Sequence, residues 1–461
     1  MSMSMKGLHT VTNHLLDTIQ RHNAGEPVGV YSVCSAHSLV LEAAVLGALE
    51  DGSYLLVEAT SNQVDQFGGY TGMKPTDFRD LVMGLAGRHG LPEARVVLGG
   101  DHLGPNRWQK LSAEEAMTHA EGLIEAYVGA GFTKIHLDCS MPCADDATPL
   151  GDDIVAGRAA RLARVAELAA EEVATRIQGE RQGDNGLLYV VGTEVPVPGG
   201  ARETLEELTP TSPEAAQATL ARHREAFAEA DLKGAWARVV ALVVQPGVEF
   251  DHLRVIDYEL GATHDLRRVL DDHEQLVFEA HSTDYQTPAN LKALVKDHWA
   301  ILKVGPALTF AMREALFALA AIEDELIQEG DRSDLVGVIE RRMLAEPQEW
   351  EGYYTGDPHT QLLLRRYSYS DRIRYYWSDP EIQTAQSRLM SNLASQDIPP
   401  PLVSQHLPDQ YTRIRRGELP IKPEALVLDR IRDVLRAYAF ACSSTGTVAN
   451  PNVNPSKEDC Q

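Results

Sequence analysis

Eight short apolar runs, each followed by a stretch of helical pattern, narrow most sharply what this chain can fold into. They are "VGVYSVCS" (28–35), "YLLVEATS" (54–61), "RVVLGGDH" (95–102), "TKIHLDCS" (133–140), "LLYVVGTE" (187–194), "ARVVALVVQ" (237–245), "QLVFEAHS" (275–282) and "AILKVGP" (300–306). Most are nearly continuous in apolar side chains, the pattern of parallel strands buried on both faces. Between them, 152–176 sets Val155, Leu162, Val165, Leu168, Ala169 and Val173 at helical spacing. The stretches 38–50, 112–131 and 212–230 behave alike, the last opening on the helix start Ser212-Pro213. Eight strand-then-helix units predict an α/β fold, a (β/α)8 barrel over 25–328. The rival, a doubly wound open sheet, would carry a glycine-rich fingerprint after its first strand, and "CSAHS" is not one.

Outside the barrel, 1–24 reads as a short amphipathic helix, too polar for a signal peptide. The region 329–442 reads as a mostly helical appendage, aromatic- and Arg-rich at 353–377 and closing on an amphipathic helix at 422–442. Residues 443–461 are polar, lack core side chains and are expected to be disordered. The net charge of −25 argues against nucleic acid and anionic membranes as partners, since both need basic surfaces. No apolar run approaches the ~20 residues of a membrane span. The five cysteines (Cys34, Cys139, Cys143, Cys442, Cys460) are odd in number and sparse, which predicts no disulfide framework and a reducing, cytoplasmic setting. Cys139 and Cys143 have no second pair to complete a structural zinc site.

Barrel chemistry gathers at the C-terminal ends of the strands. Those ends carry Glu58 and then Asn62-Gln63, Asp101-His102 behind Gly99-Gly100, Asp138, Glu194, Gln245, and His281 with Ser282, Thr283 and Asp284. Two imidazoles and several carboxylates at one mouth suit a divalent cation such as zinc or manganese. His102 and His281 are the expected ligands, with Glu194 or Gln245 in third place. Asp101 is then the acid/base beside the metal, and Asp138 orients it or holds a substrate hydroxyl. Asn62, Gln63, Ser282 and Asp284 are read as substrate contacts at the same rim. His136 is read as pointing away from Asp138, and His37 as a helix-start residue. A Schiff-base alternative would use Lys134 or Lys303, of which Lys303 is the better placed.

The segments "GGDHLGPNRWQ", "HLDCSMPCADD", "GTEVPVPGGA", "AHSTDYQTP" and "YSYSDRIRYYW" resemble the GatZ/KbaZ family of tagatose-bisphosphate aldolase subunits, over about 10–440. Some members carry the older label tagatose 6-phosphate kinase, yet no P-loop or kinase motif set stands here. More distantly the family resembles the class II aldolases, zinc-dependent barrels. That resemblance implies Asp101 as acid/base, His102 and His281 as ligands, and active-site carboxylates at Asp138 and Glu194. Gln245 stands where those aldolases use a third histidine, which leaves zinc, manganese, nickel and cobalt open as the metal. Their phosphate loop is replaced by "STDYQTP", so an arginine of "DRIRYYW", Arg372, is expected to bind substrate instead. Two functions follow from the resemblance. One is a subunit supporting a separate catalytic aldolase subunit. The other is a 4-epimerase of tagatose and fructose or their 6-phosphates, working as a homo-oligomer.

Overall fold

The computed structural model describes residues 5–178, 186–193 and 208–444. Ten strands occur among them: β1 (Val30–Val33), β2 (Leu55–Thr60), β3 (Val96–Leu103), β4 (Lys134–Leu137), β5 (Leu188–Val191), β6 (Val239–Val243), β7 (Glu249–Phe250), β8 (Val255–Ile256), β9 (Val277–Ala280) and β10 (Ile301–Val304). Eight close into a parallel barrel in the order β1-β10-β9-β6-β5-β4-β3-β2, seven of them within an apolar run and β3 one residue past the end of its own. The ring shuts where β1 pairs with β10, Val30 opposite Ile301 and Val33 opposite Val304. The exceptions, β7 and β8, form a two-stranded antiparallel hairpin after β6 that the sequence reading did not anticipate.

A period of two sends alternate strand residues inward, and this explains the interior layer by layer. At the N-terminal end Leu56, Val97, Leu188, Val277 and Ile301 pack together, with Leu15 and Ile19 of the helix Met5–Asn23 against them. One step up the barrel come Ser32, Glu58, Lys134, Glu279 and Lys303, all buried. One step further stand Asp101, His136 and His281. The interior thus passes from hydrocarbon to charge to imidazole toward the C-terminal ends, where barrel sites lie.

The Gly-Gly of β3 answers to crowding on both sides of the strand. A Cβ on Gly99 would stand 2.6 Å from Cγ of Glu58, and one on Gly100 would stand 2.5 Å from Leu103 and 2.8 Å from Tyr127. Beyond them β3 slips register against β4 between Gly100 and Leu103, and His102 takes a left-handed φ of 51°. In a regular strand Asp101 and His102 would face opposite sides. The irregularity turns both toward the mouth, a common use of a bulge beside an active site.

The C-terminal region is helical, from Leu335–Ala345 to Pro423–Cys442. Its last helix lies against three barrel helices, Ser38–Asp51, Pro288–Lys296 and Pro306–Leu326. Leu426, Ile431, Leu435 and Tyr438 are buried there, in one continuous core with the outer faces of the strands. The Tyr438 hydroxyl donates to the Thr283 carbonyl at 2.8 Å, tying the appendage to the chain just after His281.

Candidate active site

Four side chains form a ring of alternating charge across the barrel. Lys134 Nζ lies 2.8 Å from Glu58 Oε1 and 2.7 Å from Glu279 Oε2. Lys303 Nζ closes the ring at 2.9 Å from Glu58 Oε2 and 3.8 Å from Glu279 Oε1. Lys303 also reaches upward to Asp101 Oδ1 at 2.8 Å. Two ammoniums thus face three carboxylates in a dry interior, where each charge depends on its partners. Burial opposes the Lys303 ammonium, but Asp101, Glu58 and Glu279 outweigh it and hold its pKa well above that of a free lysine. A protonated amine has no lone pair, so Lys303 is not poised as a Schiff-base nucleophile.

Above this ring three imidazoles meet. The ring centres of His102, His136 and His281 lie 4.9–5.2 Å apart. His102 gives its Nδ1 to Asp138 Oδ2 at 2.7 Å, which leaves its Nε2 3.8 Å from Asp101 Oδ2. His281 Nε2 lies 3.0 Å from Glu279 Oε1. His136 Nδ1 lies 3.2 Å from Asp101 Oδ1 and 3.2 Å from the His102 amide, while its Nε2 is buried with no hydrogen-bond partner. Donor atoms of Asp101, His136, Glu279 and His281 all fall within 4.8 Å of one another. An orphaned imidazole nitrogen beside carboxylates, with neighbouring imidazoles oriented through their other nitrogen, is a donor set that fits a divalent cation.

The electrostatics agree with that fit. Burial pushes His281 down to about 4 against the pull of Glu279, so its ring is neutral and ligand-ready. Burial would do the same to His102, but Asp101 and Asp138 outweigh it and raise its pKa above the ordinary histidine value. Burial also opposes ionisation of Asp101, yet His102, Lys303 and His136 prevail and hold its carboxyl well below the usual range. Thr60 adds a hydrogen bond to Asp101 Oδ2 at 3.1 Å. Asp138 is likewise kept ionised against burial, by His102 and by Ser140, whose hydroxyl donates at 2.6 Å. These residues open onto a cavity of about 300 Å³ at the C-terminal mouth. Its wall includes Asp101, His102, His281 and Lys303 from the barrel, and Arg374, Tyr375 and Trp377 from the C-terminal region.

A family model, the D-tagatose-1,6-bisphosphate aldolase subunit GatZ/KbaZ-like family, matches residues 15–443. The chain belongs to this family. A solved structure described as a probable tagatose 6 phosphate kinase from Sinorhizobium meliloti 1021 is 47% identical. It aligns with 90% of this chain and 100% of its own, with a TM-score of 0.82. The YdjI aldolase of Escherichia coli K12 aligns with 81% of this chain and 94% of its own at 11% identity and a TM-score of 0.39, too remote a likeness to bear on chemistry.

In this GatZ/KbaZ-like chain the expected site residues fall into three groups. Asp101, His102, His281, Asn62, Gln63, Ser282 and Asp284 all line the cavity, and Asp138 stands behind His102; of the two expected ligands His281 is in the donor group, whereas His102 is not and His136 is. Gln63 does so with its amide engaged, accepting from Thr60 N at 3.2 Å and donating to Cys34 O at 3.3 Å. Glu194 lies outside the described residues. Two further expectations are corrected. Gln245 is not brought to the donor group, because its Oε1 accepts from the Gly247 and Val248 amides at 2.8 and 3.0 Å and caps its own loop. Arg372 does not reach the cavity. Its guanidinium stacks 3.4 Å over Tyr353 and donates to the Glu349 carbonyl, and Arg374 lines the wall instead.

His136, Lys134 and Glu279 were misread or missed, and the signal for all three was present. His136 and Asp138 are two residues apart, as are Glu279 and His281, and residues two apart on a strand share a face. Lys134 shares that face with His136 and is fully buried rather than set aside from the site.

Proposed function

We propose that this chain is a metal-dependent enzyme that inverts C4 of a ketohexose or its 6-phosphate, interconverting tagatose and fructose forms by breaking and re-forming C3–C4. One observation carries the reading. Asp101, His136, Glu279 and His281 hold donor atoms within 4.8 Å of one another beneath an open cavity, a constellation with no structural need of that cavity. The hydrogen on C4 of a 2-ketose is not acidic, so proton abstraction there cannot invert it. Cleavage next to the carbonyl can. The C4 hydroxyl gives its proton to Asp101, and the C3–C4 electron pair moves toward the C2 carbonyl, leaving an enediolate and an aldehyde. The aldehyde turns its other face, the bond re-forms and the proton returns, with no net oxidation.

A bound zinc, manganese, nickel or cobalt ion would supply polarisation of the ketone. The chain's own groups do the rest. Asp101 is ionised and at the mouth; to act as base it would stay out of the ligand set, leaving the cation to His136, Glu279 and His281, and the Lys303 ammonium at 2.8 Å weakens it further. Proton uptake is therefore coupled to movement of Lys303 or to charge building on the substrate. Asp138 fixes the His102 ring, and Asn62 and Ser282 line the side on which hydroxyls would sit.

A second reading has one specific point in its favour: the family is described as an aldolase subunit, which suits a chain that supports a catalytic class II tagatose-bisphosphate aldolase partner. A single assay separates the two. The purified chain is incubated with Zn²⁺ or Mn²⁺ and fructose 6-phosphate or tagatose 6-phosphate, and the C4 epimer is sought. Epimer from the lone chain supports the first reading. No epimer, with stimulation of an added aldolase subunit, supports the second and removes the first.

A further inference from the structure

We infer that the part of the cavity wall supplied by the C-terminal region is an anion site built on Arg374, which takes the charged C6 substituent of the substrate: a phosphate monoester or a carboxylate. The inference rests on the proposed ketose reading for the identity of the substrate, but not for the existence of the site.

Two independent observations lead to it. The first is that the usual place for phosphate in a (β/α)8 barrel, at a helix N-terminus beyond the seventh and eighth strands, is already filled by the chain itself. The helix Pro306–Leu326 begins there, and Asp284 Oδ1 accepts from the Gly305 and Ala307 amides at 3.0 and 2.8 Å. Burial raises Asp284 to about 6 against those two bonds, so near neutral pH a carboxylate still sits where a phosphate would have to go. A second anion is repelled from that position.

The second observation is a cation that feels the charges of Asp284 and Asp371 but makes no close ion pair with either. The lysine and arginine on the cavity wall are Lys303 and Arg374. Lys303 is held by Asp101 and Glu58. Arg374 donates to the Ser370 and Asp371 carbonyls and, at 2.9 Å, to the Tyr375 hydroxyl. Among the described residues no carboxylate lies within ion-pair distance of it. Its neighbours differ: Arg313 pairs with Asp371 at 3.1 Å, Arg365 with Glu340 at 2.6 Å and Arg372 with Glu349 at 3.9 Å. The Asp371 carboxylate is committed to Arg313 and to Thr309, which donates at 2.7 Å.

The surroundings of Arg374 suit an anion. Tyr375 and Tyr70 pack edge to face at 4.8 Å beside it, both on the cavity wall. The Tyr375 hydroxyl accepts from the guanidinium, so its own proton is free to be donated to a ligand. Burial opposes loss of that proton, but Arg374 and Arg372 outweigh it and lower the pKa, which makes the hydroxyl a stronger donor. The cavity wall thus joins the imidazole and carboxylate residues of the barrel to a guanidinium of the C-terminal region. A ketose phosphate spanning it lies with its ketone toward the cluster and C6 toward the C-terminal region.

The test is direct binding, which needs no turnover. Fructose, fructose 6-phosphate and the corresponding C6 carboxylate, fructuronate, are titrated calorimetrically into the metal-loaded chain and into Arg374→Met and Arg374→Lys variants, with thermal melts as a check on folding. At least one anionic sugar is expected to bind the wild type roughly 10- to 100-fold more tightly than fructose, the scale of a charge-assisted bond. Arg374→Met is expected to abolish that preference and Arg374→Lys to retain part of it. If Arg374→Met does not fold, the Lys variant alone decides, since loss of the guanidinium fork must still reduce the preference. Equal affinity for all three sugars in the wild type, or a preference undiminished in the variants, overturns the inference. Arg374-dependent binding without any epimer formed would sink the proposed reaction and leave the anion site standing.

Discussion

Replacing His136 by alanine is expected to cut the divalent cation held by the purified chain at least about tenfold, measured by elemental analysis after dialysis. Its buried Nε2 has no other partner, and it stands in the donor group with Asp101, Glu279 and His281. Gln245→Ala should leave the metal content as it was, since that side chain serves its own loop. An equal loss in both variants would sink the proposed ligand set. Lys134 offers a test of a different kind. With both Glu58 and Glu279 within 2.8 Å of its ammonium, Lys134→Met leaves three carboxylates, Glu58, Glu279 and Asp101, sharing Lys303. Chemical denaturation should register a loss of about 3–5 kcal/mol, the scale for breaking a buried ion pair. A loss below 1 kcal/mol would mean that water reaches the barrel floor.

The hairpin β7-β8 carries a pH-dependent contact at the scale of a whole element. Burial lifts Glu249 to about 7, against hydrogen bonds from the Phe250 amide and Ser282. The folded chain therefore binds this proton more tightly than the unfolded chain, whose glutamate titrates near the ordinary value. The resulting stabilisation is complete below about pH 4 and fades as the pH rises through 7. Glu249→Gln should remove this fading. Between pH 5 and 8 its unfolding free energy should gain on that of the wild type by up to about 3 kcal/mol; a constant difference would refute the assignment. The elements differ in how legible they were beforehand. The eight barrel strands are buried on both faces and announce themselves as apolar runs, whereas β7 and β8 are two residues each and give no period to read. The slip in β3 at His102 was invisible for another reason: it is a backbone irregularity enforced by packing around Gly100. Arg372 and Arg374 look alike on paper, and which one turns inward is decided by the Tyr353 ring and the Glu349 carbonyl, some twenty positions away.

Barrel and C-terminal helices share one core, so the molecule is expected to unfold as a unit. Calorimetry should show a single transition whose van't Hoff and calorimetric enthalpies agree. Two resolved transitions would mean that the appendage folds independently. Tyr438→Phe tests the same join more gently, leaving the Thr283 carbonyl short of its 2.8 Å hydrogen bond at a cost of about 1–3 kcal/mol in a denaturant melt. The ring of Glu58, Lys134, Glu279 and Lys303 also governs how a protein of this shape can diverge. Every member leans on two others contributed by different strands. A lone mutation strands a full charge in a dry place, so viable descendants must exchange an acid and a base together. Variation will accumulate freely around the rim, where substrates are chosen, and hardly at all at the root that keeps the rim in shape.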